Sequence, residues 1–245
     1  MPVRDVNLRV PATCRPKNAR ERSKDEITES IEEYTEGIWR LERETQTVGT
    51  GEIAQYMNVA PASVTMMLKR LAELGLVEHL PYQGVRCTEK GELLAVNLLR
   101  KHRLLERLLV DFLELPWDGV HDLACKLEHY ISMEVADRIE RAMNYPTTCP
   151  HGNSIDATAP DDSYRLRDAE AGAPLRVVKI TDEREEFLSY LLSIGLVPEA
   201  EVEILERSPF GDVLTLQIGE NSKSVAIGRE VSTAVYVLPR EAMVA

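Results

Sequence analysis

The run Gly51-Glu52-Ile53-Ala54-Gln55-Tyr56-Met57-Asn58-Val59-Ala60-Pro61-Ala62-Ser63-Val64-Thr65-Met66-Met67-Leu68-Lys69-Arg70-Leu71-Ala72-Glu73-Leu74-Gly75 decides the fold of the first part of the chain. It reads as a short helix through Met57, a tight turn over Asn58-Val59-Ala60, and a second helix opening on Pro61, a residue tolerated at the first helical position. Val64, Met67, Leu68 and Leu71 recur at helical spacing and turn one face inward, and Gly75 supplies the stop. Downstream, Leu76-Val77-Glu78-His79 and Val85-Arg86-Cys87-Thr88 flank Tyr82-Gln83-Gly84, two short runs about a Gly-containing turn that predict a β-hairpin. Upstream, Ile27, Ile31, Tyr34, Ile38 and Leu41 repeat every three or four residues and predict an amphipathic helix over 26–45. Helix, helix, turn, helix, hairpin is the winged helix-turn-helix plan, whose second paired helix enters a DNA major groove. A three-helix domain that merely ends in a hairpin has the same order.

Charge bears on that choice. The 245 residues carry 41 acids against 29 bases, a net −12 that by itself points away from DNA. The distribution is uneven: residues 1–24 hold seven bases and two acids, whereas the stretch from Pro61 to Arg103 holds seven bases and four acids inside an acidic protein. A basic, Pro- and Asn-containing arm over 1–25 reads as a flexible extension without the apolar core of a secretory signal. The chain is 44% hydrophobic and contains no apolar run of the roughly 20 residues a membrane span needs, so a soluble, cytoplasmic protein without a membrane partner is expected. Cys14, Cys87, Cys125 and Cys149 show no C-x-x-C spacing, and a disulfide framework is not expected.

After the hairpin, long helical stretches are predicted from Glu89 to about Leu115 and from Val120 to about Met143. Pro146, Pro150, Gly152 and Pro160 then mark a linker. Beyond it, Pro174–Ile180, Glu201–Leu205, Val213–Ile218, Val225–Ile227 and Ala234–Leu238 read as short strands, with one helix carrying Phe187, Leu188, Leu191 and Leu192, and together they predict a small β-barrel.

His121, Cys125, Glu128 and His129 fall at i, i+4, i+7 and i+8 of the second long helix, within about a 100° sector beside the apolar set Val120, Leu123, Ala124, Leu127, Ile131 and Val135. The preceding helix adds His102 and Glu106, again at i and i+4. Imidazole, thiolate and carboxylate converging between helices suit a first-row transition metal and leave Mn²⁺, Fe²⁺, Co²⁺ or Zn²⁺ open. The competing chemistry is a metalloenzyme or thiol hydrolase with Cys125 as nucleophile and His121 or His129 as base. It lacks an oxyanion element, and neighbouring carboxylates would raise the thiol pKa. A winged-helix regulator that senses something other than metal is a third reading.

The run Arg100-Lys101-His102-Arg103-Leu104-Leu105-Glu106, then His121, Cys125 and Glu128-His129, resembles the metal-dependent repressors typified by the diphtheria toxin repressor, iron-dependent regulators and the manganese transport regulator. The likeness spans about 26–151 and, more faintly, 164–240, where the barrel is similar to the SH3-like (FeoA-like) domain of longer members. The resemblance implies a homodimeric, metal-activated regulator of operator DNA and no enzyme, most simply a repressor of manganese or iron uptake genes. It implies five segments: an arm over 1–25, a winged helix-turn-helix domain over 26–95, a helical metal-binding and dimerisation domain over 96–151, a linker over 152–163 and the SH3-like domain over 164–245.

It also implies a primary site of Cys125, Glu128 and His129 with helix-one residues. Glu33, directly before Tyr34, stands where iron-type members carry methionine and manganese-type members aspartate, and Glu36 also matches the manganese type, whereas Cys125 matches the iron type. An ancillary site would take His102, Glu106 and His121 with Glu183 and Glu186 of the barrel domain. The hybrid set implies Mn²⁺, with Fe²⁺ as the alternative and Co²⁺, Zn²⁺ or Cd²⁺ able to substitute. Ala62, Ser63, Thr65 and Met66 would face bases, offering hydroxyl bonds and apolar contact to thymine methyls, while Lys69, Arg70 and the wing residue Arg86 would hold phosphates.

Overall fold

A computed structural model describes residues 26–45, 47–80, 83–219 and 224–240. The basic arm over 1–25, the hairpin-turn residue Tyr82 and residues 241–245 of the expected last domain lie outside the described residues. The winged domain follows its expected order: α1 (Glu29–Thr45), α2 (Thr50–Tyr56), α3 (Pro61–Glu73), β1 (Val77–Leu80) and β2 (Gly84–Cys87), the strands pairing antiparallel from Val77 opposite Cys87 to Leu80 opposite Gly84. Pro61 opens α3, and Val64, Leu68 and Leu71 are buried with Ile31, Tyr34, Ile38 and Ile53 in one apolar core. Glu52 closes the first turn of α2 by accepting the Gly49 N–H at 2.7 Å, which satisfies one of the donors a helix start leaves open.

α4 (Glu89–Asp111) is a long helix capped by Thr88, whose hydroxyl oxygen accepts the Gly91 N–H at 3.1 Å. Its buried face carries Ala95, Leu98, Leu99, Leu104, Leu105 and Leu109, and also Lys101, His102 and Glu106. The single helix expected from Val120 to Met143 is two: α5 (His121–Leu127) and α6 (Met133–Ala142). The break is local chemistry. Ser132 accepts the Val135 N–H at 3.3 Å and starts α6 as an N-cap, a competing bond that ends the continuous helix. Glu128 and His129 therefore sit in the turn after α5 rather than on its face. Leu123 and Val135, expected inward, are exposed.

The C-terminal domain is an antiparallel sheet in the order β3-β8-β4-β5-β6-β7, built from β3 (Tyr164–Arg165), β4 (Pro174–Ile180), β5 (Glu201–Arg207), β6 (Leu214–Ile218), β7 (Val225–Ile227) and β8 (Val235–Pro239). α7 (Glu185–Ile194) and the short α8 (Arg229–Ala234) pack on its core, with Leu188, Leu191, Val177, Ile204 and Leu216 fully buried. Leu192 instead faces outward. The segment leading into this domain is a strap rather than a tether, because Cys149, His151, Asn153 and Ile155 are all buried. Gly152 makes that possible: its φ is +87°, and a Cβ there would lie 2.0 Å from the Val178 carbonyl oxygen.

Candidate metal centre

Two helices of the middle domain, the strap and the start of the C-terminal domain deliver polar side chains to one buried place. Glu106 is at its centre. Fully buried on α4, its Oε1 lies 3.0 Å from His102 Nε2, 3.3 Å from His151 Nδ1 and 3.5 Å from His121 Nδ1. His102, one turn earlier on the same helix, donates from Nδ1 to Glu128 Oε2 at 2.6 Å, so one ring touches both ends of the cluster. His121 Nε2 meets Cys125 Sγ at 3.5 Å, the i, i+4 pair of α5, and its Nδ1 lies 3.1 Å from Glu183 Oε2. Glu183 in turn accepts from the Asn153 amide at 2.9 Å and lies 3.7 Å from His151 Nδ1.

Among the described residues, three overlapping groups place their donor atoms within 4.8 Å of one another: His102, His121 and Cys125; His102, Glu106, His121 and Glu183; and Glu106, Cys149, His151 and Glu183. Three buried atoms in these groups make, among the described residues, no well-aligned hydrogen bond: Glu106 Oε2, and His121 Nδ1 and His151 Nδ1, whose contacts with Glu183 at 3.1 Å and Glu106 at 3.3 Å respectively are ion-pair contacts only. A buried atom left without any partner, as Glu106 Oε2 is, costs about 1–3 kcal/mol, more when charged. His151 shows how the fold directs one of the three. Its Nε2–H donates to the Trp117 carbonyl at 2.9 Å, which leaves Nδ1 aimed at the two carboxylates. Metal-ligating imidazoles are held by the far nitrogen in this way.

Electrostatics agree with the donor set. Burial works against charge on His121 and His151, yet contacts to Cys125, Glu106 and Glu183 for the first and to Cys149, Glu106 and Glu183 for the second outweigh it, raising them to about 11 and about 12. Burial likewise opposes ionisation of Glu106, but His102 and the other imidazoles hold its carboxyl well below the ordinary range. The Cys125 thiol, expected to be raised by neighbouring carboxylates, is lowered instead, because it faces His102 and His121, whose hydrogen bonds exceed its burial penalty. Glu128 goes the other way, raised chiefly by burial.

The helix-one side of the centre is a cleft of about 820 Å³ that Glu33 and Glu36 line together with Cys125, Glu128 and His129. Glu36 is paired with Arg40 at 2.8 Å, and Glu33 is exposed. His129 Nδ1 donates to Glu32 at 2.6 Å, while its Nε2 lies 3.6 Å from Glu128 Oε1. Lys101, buried, donates to the Glu128 carbonyl at 2.7 Å and lies 3.9 Å from Glu32. Of the acids expected from the barrel domain, Glu183 joins the cluster, and Glu186 stands exposed in the first turn of α7, outside the three groups. Sequence reasoning passed over Glu32, Lys101, Cys149 and His151. The last two lie in Cys149-Pro150-His151-Gly152, where a Cys and a His two apart before a glycine were a usable signal, hidden because the segment was read as linker.

The DNA-facing expectations fall on the outer surface of α3. Ala62, Ser63, Thr65, Met66 and Lys69 are exposed, Met66 at 70%. Arg70 is partly covered and pairs with Glu73 at 3.4 Å, and Arg86 on the wing pairs with Glu78.

Comparison with known proteins adds three domain matches. Residues 26–85 match the iron dependent repressor N-terminal DNA binding domain, 88–157 the iron dependent repressor metal binding and dimerisation domain, and 164–239 the FeoA domain. The iron-dependent repressor IdeR of Mycobacterium tuberculosis is 34% identical over 229 residues, covering 87% of this chain and 98% of that protein. The diphtheria toxin repressor of Corynebacterium diphtheriae is 32% identical over 229 residues, covering 86% and 98%. A solved manganese-dependent transcriptional repressor in complex with manganese superposes with a TM-score of 0.78 at 29% identity, covering 86% of this chain and all of that one.

Proposed function

The chain belongs to the iron-dependent repressor family and is a metal-dependent, DNA-binding transcriptional regulator, and from that premise we propose that its Cys/His/carboxylate cluster is the sensing centre. The observation that carries the reading is the convergence of donors: Glu106 Oε2 is buried without a partner, and His121 Nδ1 and His151 Nδ1 close on Glu106 and Glu183 in groups whose donor atoms lie within 4.8 Å of one another, an arrangement that fits a cation. One site would be held by Glu36, Cys125, Glu128 and His129, with Glu33 at its mouth. A second would be held by Glu106, His121, His151 and Glu183, with Cys149 beside it and His102 between the two. A bound divalent cation supplies concentrated positive charge to carboxylates that otherwise depend on protonated imidazoles. Carboxylates and imidazoles outnumber thiols, which favours Mn²⁺, while Cys125 and Cys149 leave Fe²⁺ as the alternative.

The residues then connect sensing to DNA. α1 carries Glu33 and Glu36 on one side and Ile31, Tyr34 and Ile38 in the winged-domain core, so the position of α1 is also the position of α3. Glu32 to His129 and Glu29 to the Tyr130 hydroxyl, both at 2.6 Å, already hold the start of α1 to the turn after α5. Recruiting Glu36 from Arg40 would extend that attachment by a further helical turn. Phe112, Leu113, Leu123 and Val135, exposed around the end of α4, α5 and α6, are the apolar surface for a second copy, which would set the spacing of two recognition helices on a two-fold operator. A cytoplasmic, non-enzymatic repressor of manganese or iron uptake genes fits this reading. The test is operator binding by the purified protein with chelator and with added Mn²⁺ or Fe²⁺: tight binding only with metal is expected, and affinity indifferent to metal would overturn it.

A further inference from the structure

Four donors surround the carboxylates of Glu106 and Glu183, and they do not close on one point. Among the described residues, donor atoms within 4.8 Å of one another form one group of His102, Glu106, His121 and Glu183 and another of Glu106, Cys149, His151 and Glu183. No such group joins an imidazole of the two helices to a donor of the strap. A metal–ligand bond of about 2.0–2.3 Å limits two donors on one ion to a separation of about 4.0–4.6 Å. The donors therefore divide into two sites, and the two sites have both carboxylates in common.

The shared carboxylates are oriented for that division. Glu183 turns Oε2 to His121 Nδ1 at 3.1 Å and Oε1 toward His151 Nδ1 at 3.7 Å, one oxygen for each side. Asn153, buried, fixes this orientation, its amide donating at 2.9 Å both to Glu183 Oε1 and to the Ile180 carbonyl. Glu106, wholly buried, presents Oε1 to His102, His121 and His151 at 3.0, 3.5 and 3.3 Å and keeps Oε2 unpaired. An oxygen that faces rings from both groups, beside a second oxygen left unpaired, is the disposition of a bridging carboxylate. Each ring is also braced from behind. His102 Nδ1 lies 2.6 Å from Glu128, His121 Nε2 3.5 Å from Cys125 and His151 Nε2 2.9 Å from the Trp117 carbonyl, so that the other nitrogen of each is directed into the cluster.

We propose that the buried cluster takes a pair of divalent cations, one held by His102 and His121 of the helices and one by Cys149 and His151 of the strap, with Glu106 and Glu183 bridging them. Ions held side by side are a recurrent arrangement in proteins. The pair rests on the metal reading proposed above and deepens it. The helix-side ion ties α4 to α5, the strap-side ion ties α4 to the strap, and Glu183 brings the start of the C-terminal domain to both. α5 and the strap are fixed to each other only when both ions are present, because no single group contains donors from both.

The test loads the full chain with Mn²⁺ and reads two quantities. Native mass spectrometry counts the ions, and low-temperature electron paramagnetic resonance reports whether two of them are exchange-coupled through shared carboxylates. Three ions per chain are expected, one on the helix-one side and two in the buried cluster, the latter giving a coupled-pair spectrum. Cys149→Ser/His151→Gln should lose one ion and convert the coupled spectrum into that of isolated ions. Glu36→Gln/His129→Gln should also lose one ion but keep the coupled spectrum, since neither residue belongs to the pair. Isolated-ion spectra alone in the saturated wild-type chain overturn the pair and leave the metal reading standing. A coupled spectrum that survives the strap variant, or that vanishes in the Glu36/His129 variant, places the coupled ions elsewhere and overturns the pair as well. Should the strap variant fail to fold, the wild-type chain and the Glu36/His129 variant decide between them. Absence of bound Mn²⁺ under all conditions overturns both the pair and the metal reading.

Discussion

Loading the metal centre should expel protons, and the number expelled can be worked out from the side chains around Glu106. His121 and His151 are raised to about 11 and about 12, burial being outweighed by contacts with carboxylates and thiols, so both are imidazolium ions at pH 7.5. His102 is shifted in the same direction. Ligation requires a free nitrogen lone pair, and each ring that ligates must therefore release one proton. If His121 and His151 both serve, at least two protons leave per chain, and apparent affinity for the metal rises about tenfold per pH unit for each, or roughly a hundredfold per unit for the pair, throughout the range below about 11. The sign for the metal-free protein is opposite. A histidine raised in the folded state contributes stability that is complete below its unfolded value near 6.5 and declines as pH rises toward 11–12. Metal-free protein should thus lose melting temperature between pH 6.5 and 9 relative to loaded protein. Calorimetric titration with Mn²⁺ or Co²⁺ in two buffers of different protonation enthalpy counts the protons directly. A count below one per chain, or an affinity that barely changes from pH 6.5 to 8.5, would refute the reasoning.

Replacing Glu32 by Ala removes the acceptor for His129 Nδ1 and should weaken metal binding about 10–100-fold, as measured by competition with a chromophoric chelator, with Glu32→Gln retaining part of the affinity. Gly152→Ala forces a side chain onto the Val178 carbonyl at φ +87°. It should reduce the metal stoichiometry by displacing His151 while the winged domain remains folded, which mass spectrometry under native conditions and circular dichroism can report. Met66 and Leu68 are near neighbours on α3 with opposite roles: Met66→Ala at 70% exposure should shift stability by no more than about 0.5 kcal/mol and weaken operator binding by about 1–3 kcal/mol. Leu68→Ala, at 3% exposure, should cost about 2–5 kcal/mol in denaturant unfolding.

What local pattern governs was legible in the chain itself. The periodicity of Ile31, Tyr34 and Ile38, the proline that opens α3 and the glycine after it act through backbone conformation and the burial of one helical face. They specify the winged domain with little help from distant residues. The i, i+4 pairs His102–Glu106 and His121–Cys125 were equally readable, because a helix alone brings such side chains together. Even so, the single helix expected after Val120 is divided at Ser132, where one side-chain acceptor outweighs a continuous apolar period.

Only tertiary structure decided the rest of the centre. Glu106 and His151 are 45 positions apart, and they meet because a positive-φ glycine lets the strap lie against β4 while Trp117 fixes the ring from behind. Glu32 rather than Glu33 faces His129, a choice set by which side of α1 packs beside the turn after α5. Neither contact has a period or a spacing to read, since a buried charge is stable only where several elements bring partners to it at once. The sequence therefore determined which helices carry donors, and the packing of α4, the strap and the C-terminal domain determined which donors share a site.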